Sequence, residues 1–209
     1  MKKLLLLGTF VGITGLVHAT TINAPASLTG FEVLNGNNAY SWGISIAVPT
    51  GEQVVSAEVD FTSVTLNIAN STGTGFLYTD LLESSHTGVG TFADADAPGD
   101  YWLGHPGAGL TSLKTVTFPN VGSTQTWSDV LTSTQLTALN AYLTANSGTF
   151  DIGIDPDCHY SVGNISFTYT FGSGPHTVPD VGATAFLLVV GLLGLEVFRR
   201  RFVVAKVKA

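Results

Sequence analysis

Apolar residues recur at every second position through most of this chain, and that period decides its architecture. Tyr40, Trp42, Ile44, Ile46 and Val48 share one parity, with Ser41, Gly43, Ser45 and Ala47 on the other. Side chains of a strand alternate faces, whereas those of a helix repeat about every 3.6 residues, so this is the pattern of a strand with one buried side. Ala57, Val59 and Phe61 repeat it, and Val64, Leu66 and Ile68 resume on the opposite parity. The slip at Thr62-Ser63 predicts a β-bulge or bend. Phe150, Ile152 and Ile154, then Ile165, Phe167, Tyr169 and Phe171, read as two more strands, expected to pair as a hairpin. Shorter strands are expected over 28–34, 75–82, 88–93 and 111–118, with Gly, Asn, Asp and Pro between them.

One segment reads as helix, over about 133–146. Thr132 and Gln135 have capping-box spacing, Leu136, Leu139 and Leu143 form one face, and Gly148 supplies a left-handed stop. Many short strands with one connecting helix predict an all-β fold, an antiparallel β-sandwich of jelly-roll-like form. Ile44, Ile46, Val59, Phe61, Leu66, Ile152, Ile154, Phe167 and Tyr169 are its expected core.

The two ends do not belong to that fold. Met1-Lys2-Lys3, the apolar run from Leu4 to Leu16 and Val17-His18-Ala19 have the order of a secretory signal peptide, residues 1–19, cut after Ala19. Its readers are the Sec translocon and signal peptidase. At the other end, Val178-Pro179-Asp180 precede an apolar run, 181–198, interrupted only by Glu196 and closed by Arg199-Arg200-Arg201. About eighteen residues at about 1.5 Å each make a helix of roughly 27 Å, enough for a short transmembrane helix. The arginines keep the 203–209 tail, with Lys206 and Lys208, in the cytoplasm. The extracytoplasmic domain is then 20–171, with 172–177 as a flexible linker.

Motif, span and arginine cluster in this order resemble the VPDSG variant of the PEP-CTERM sorting signals, over 178–202. Val181 stands where that variant has Ser, and Glu196 lies in a stretch usually free of acids. The resemblance implies a partner, exosortase, and a Gram-negative host that makes exopolysaccharide. It also implies passage through the inner membrane, removal of the tail near Val178 to Asp180, and release to the cell envelope or extracellular matrix. Asp155-Pro156-Asp157-Cys158-His159 is similar to a segment that closes the β-domain of many PEP-CTERM proteins, so the body resembles that sandwich group.

Charge narrows the function further. Thirteen of the fifteen acids lie between Thr20 and Thr177, while seven of the eight bases lie outside, leaving Lys114 and a body charge near −12. Nucleic acid is excluded as a partner, because its phosphates require a basic footprint. The acids concentrate in two places. Asp155 and Asp157 flank Pro156 at a strand end, and Asp94, Asp96 and Asp100 crowd a second loop. Carboxylates at that density suit a hard cation such as Ca2+, and they equally suit turns, where Asp bonds its own backbone.

Catalytic patterns are weaker. Cys158 and His159 are adjacent on a strand and point to opposite faces, unlike a thiol-imidazole pair. No nucleophile elbow, zinc motif or phosphate loop is present. The body is expected to be non-catalytic, a structural or adhesive unit of a biofilm matrix. Two alternatives remain open. Tyr101 and Trp102 beside the acidic loop suit a carbohydrate-binding module for exopolysaccharide, and a glycoside hydrolase needs two acids about 5 to 9.5 Å apart.

Overall fold

The computed structural model describes residues 19–69, 73–83, 86–94, 99–104 and 110–173. Backbone contacts separate a body, Met1–Gly174, from Pro175–Ala209. The expected signal peptide up to residue 18, the sorting motif, the 181–198 span and the basic tail lie outside the described residues. No helix among the described residues is long and apolar enough to cross a membrane.

The body is a β-sandwich of two antiparallel sheets and one α-helix. Its strands are β1 (Ala19–Asn23), β2 (Gly30–Leu34), β3 (Asn38–Ser45), β4 (Glu52–Ile68), β5 (Gly75–Leu82) and β6 (Gly88–Ala93). They continue with β7 (Leu110–Phe118), β8 (Thr124–Val130), β9 (Thr149–Pro156), β10 (His159–Val162) and β11 (Asn164–Ser173). The helix α1 (Ser133–Ala145) lies between β8 and β9. One sheet has the order β1-β11-β4-β10-β2, with β8 also paired to β4, and the other β6-β3-β9-β5-β7.

The nine residues expected in the core are all buried there. Phe61 stacks on Trp127 at 4.7 Å, and Phe150 meets Phe167 at 5.1 Å. Between Phe61 and Val64 the pairing of β4 with β8 shifts register, and Ser63 takes φ of 53°. The bulge read from the parity slip lets one 17-residue strand keep Phe61, Val64 and Leu66 inward. β4 also changes partner there, from β11 to β10.

The hairpin expected between β9 and β11 does not form. β9 pairs with β3 and β5, whereas β11 pairs with β1 and β4, so the two strands belong to opposite sheets and touch through side chains. β10, four residues long, intervenes and carries the chain across. Three strands were not anticipated: β1 and β8 have mostly polar, partly exposed sequences, and β10 is too short for a period. Val48, expected to continue the buried parity of β3, lies beyond its end and is exposed. β11 also extends into the segment expected as linker, to Ser173.

Helix α1 starts as its sequence dictates. Gln135 N donates to Thr132 Oγ1 at 3.4 Å, and Thr132 N donates to Gln135 Oε1 at 2.8 Å. Gly148, at φ of 90°, donates its N–H to the Leu143 carbonyl, and its own carbonyl accepts from Ile46 N. Leu139, Tyr142 and Leu143 seat the helix on the core.

Candidate functional site

Strand β9 is buried on both faces, although its sequence alternates. Phe150, Ile152 and Ile154 enter the core, while Asp151, Gly153 and Asp155 point the other way and are also covered. The register explains how. Tyr78 lies opposite Asp155 and Asp80 opposite Gly153, so Asp80 and Asp155 occupy one face, a diagonal step apart on neighbouring strands.

The cover is a short 3-10 turn, Tyr101–Gly104. Trp102 packs with Ala39 and Leu82, and its ring meets Tyr101 and Phe92 edge-on. Glycine at position 153 permits this closeness, because a Cβ there would stand 2.9 Å from Trp102 Nε1. Two carboxylates tie the turn down. Tyr101 N donates to Asp155 Oδ2 at 2.7 Å, and Trp102 N donates to Asp100 Oδ1 at 3.0 Å. Gly99 N donates to the Asp157 carboxylate.

The expected cation ligands therefore come together in part. Asp94, Asp100, Asp155 and Asp157 act on one another electrostatically, and the two acidic segments meet. Asp96 lies outside the described residues. The sequence reading missed Asp80, an acid inside the apolar run Phe76 to Leu82, and that placement was its available signal. It also missed Asp151, whose Oδ2 stands 2.6 Å from His86 Nδ1.

The electrostatics follow from burial with no counter-charge among the described residues. Asp80 and Asp155 are both 0 % exposed. Desolvation first, and then repulsion from Asp94, Asp157 and Asp100, push Asp155 up to about 7 against the hydrogen bond from Tyr101. Desolvation first, and then repulsion from Asp94 and Asp100, raise Asp157 to about 6 against the hydrogen bond from Gly99. Asp80, facing Asp100, is held well above the usual carboxylate range, again chiefly by desolvation. Lys114, the body's lone Lys or Arg, acts on Asp129 instead.

The aromatic pair does not form the platform expected for a sugar. Trp102 is 6 % exposed and already covered by its neighbours, so its face is not presented to a ligand. Cys158 is likewise buried, its thiol directed at the Thr74 carbonyl at 3.7 Å. Ala19, the expected signal-cleavage residue, opens β1 opposite Thr170. The sorting residues Val178, Pro179, Asp180, Arg199, Arg200 and Arg201 lie outside the described residues.

No curated protein matches the chain. Residues 177–202 match the VPDSG-CTERM motif. The chain thus ends in a PEP-CTERM-type sorting tail of the VPDSG kind, which implies export, membrane anchoring in transit and processing by exosortase.

Proposed function

We propose that this is an exosortase-sorted protein of the cell envelope or extracellular matrix in a Gram-negative bacterium, with a jelly-roll-like sandwich that serves as a non-catalytic structural or adhesive unit. The sorting motif at 177–202 carries the reading. The body's acidity supports it, since an exported surface of one sign stays soluble and attracts cations. Its most crowded carboxylates support a non-catalytic role as well. Asp80 and Asp155 are buried beneath the Tyr101–Gly104 turn, out of reach of a glycan chain bound at the surface.

One observation favours the carbohydrate-binding alternative at a different place. A groove of about 510 Å³ runs between α1 and the β3–β4 connection, lined by Val48, Glu52, Gln53, Asn140 and Thr144 among others. Its hydrogen-bonding side chains suit a polysaccharide, although Asn140 is already committed to Val54 N and O.

Intact-mass measurement tests the sorting claim. The mature protein from an exosortase-bearing host should lack residues 1–19 and end near Val178 to Asp180, and an exosortase-deficient host should retain the tail. A mature chain still ending at Ala209 in the first host would make the span a permanent anchor. Co-sedimentation with purified exopolysaccharide separates the two roles of the body: retention lost in a Gln53→Ala, Thr144→Ala variant assigns the groove to glycan.

A further inference from the structure

We infer that Asp80, Asp100 and Asp155 form a divalent-cation site, of the chemistry that takes calcium, between the β5–β9 face and the turn that covers it. The site is independent of the sorting reading, because it concerns the body alone.

A group of acids does not by itself make a site. Here the decisive observation is Asp80, which is 0 % exposed and has neither Oδ1 nor Oδ2 in a hydrogen bond of good geometry. The side chains of Asp100 and Ser112 stand beside it without closing one. Asp155 Oδ1 is also buried without a hydrogen-bond partner, its other oxygen being used by Tyr101 N. Buried carboxylates otherwise find donors or a counter-charge, and an orphan oxygen costs its full desolvation. The orphaned oxygens belong to neighbouring strands and one face, and Asp100 acts on both residues from the turn. Asp94 and Asp157 add negative charge around them.

The chemistry selects the cation. Asp80, Asp100 and Asp155 offer carboxylate oxygens, the donor set of hard divalent ions, and Ca2+ tolerates the irregular geometry that Mg2+ does not. Among the described residues no three of His, Cys, Asp or Glu are yet gathered at ligating distance. Asp80 and Asp155 are fixed on the sheet, so Asp100, on the turn, is the ligand that moves inward. A bound cation would therefore add to the contacts that already hold the turn on the sheet, and would neutralise the acids.

The test uses the full chain in detergent micelles, with calcium chloride, magnesium chloride or EDTA. Calcium at about a hundred times its Kd should raise Tm by about 5–10 °C over EDTA, and magnesium should raise it less. Asp80→Asn and Asp155→Asn keep the shape and remove a charge, so each should fold and lose the calcium response. Glu58→Gln should keep it. Terbium offers a readout independent of stability, since a lanthanide held by Asp100 lies beside the Trp102 indole and should emit on indole excitation. That emission should vanish in Trp102→Phe while the calcium shift remains. An unchanged Tm at millimolar calcium, or a shift that survives in Asp80→Asn, would overturn the site and leave protons as the neutralising charge.

Discussion

The outer faces of the two sheets begin from the same kind of sequence and end in opposite environments. On the β11–β4 face, Ser56 and Thr62 are exposed, and Glu58, Asp60, Thr168 and Thr170 are half-buried. On the β9–β5 face, the equivalent positions hold Asp80, Asp151, Gly153 and Asp155, all buried. Both read as the polar half of an alternating strand. The difference comes from the chain between β6 and β7, whose turn lays Tyr101 and Trp102 over one face, while nothing described covers the other. A period in sequence therefore tells which side of a strand leaves the core. Whether that side meets water is decided elsewhere in the chain.

The core between the sheets supports both faces, so cutting it should have the largest effect. Phe167→Ala removes a ring that meets Phe150 across the sandwich and Tyr169 along the strand. It should cost about 3–5 kcal/mol in denaturant unfolding. A loss below about 1 kcal/mol would mean that the two sheets are not packed on each other as described.

Acidity separates the outer faces next. Asp155 and Asp157 have pKa values raised to about 7 and about 6, principally by desolvation, and Asp80 is raised as well. Around them stand Asp94, Asp100, Tyr78, Tyr101 and Ser112, and among the described residues no basic side chain acts on them. A carboxyl with a higher pKa in the folded state favours folding fully below its unfolded value, about 4, and gives up that contribution as pH rises through its folded value. In EDTA, Tm should fall between pH 4 and pH 8 by more than the ~2–4 °C that 1 kcal/mol is worth in a domain of this size. Calcium should flatten the profile. A profile already flat in EDTA would show that the covered face is not charged as its burial implies.

The cover itself was only half legible. The sequence reading placed acids and aromatics together at 94–102 and 155–157, and those segments do meet through Asp155 and Tyr101. Strand parity places Asp151 and Asp155 on the side away from the core, and carries no information about a loop folding over that side. Asp80 escaped for a related reason: strand pairing of β5 with β9 makes it a neighbour of Asp155 over a long sequence separation, and pairing is not written in either strand alone. The same limit separates β9 and β11, which are close in sequence but pair in opposite sheets. The bulge at Thr62-Ser63 and the capping box at Thr132 were legible because their causes are local.

Close packing of Trp102 on Gly153 gives a smaller and more specific test. Gly153→Val puts a branched side chain where even a Cβ would crowd the indole, so the ring must lift from the sheet. The cost should be about 1–3 kcal/mol, with Trp fluorescence shifted to the red as the ring meets water. Thr170→Val, at a half-buried position on the other outer face, should change stability by no more than about 0.5 kcal/mol and leave the fluorescence alone. Equal effects at both positions would erase the distinction between a covered and an open face.

The smallest effect compares one acid from each face. Asp60 on β4 accepts hydrogen bonds from Ser128 Oγ and from Ser166 Oγ, the latter at 3.4 Å, and it remains half-buried. Its carboxylate has these donors, so Asp60→Asn should lose about 0.5–1.5 kcal/mol through poorer hydrogen bonding. That loss should be the same in calcium and in EDTA. Asp80→Asn should behave in the reverse sense. In EDTA at pH 8 it removes a buried charge that has no donor, so the variant should melt higher than the parent; in calcium it gives up a ligand and should melt lower. A crossing of the two Asp80 curves with cation, beside parallel curves for Asp60, is the signature of one face built around charge and the other merely bearing it. Parallel curves for both would place Asp80 in the same category as Asp60, as a carboxylate tolerated by the fold.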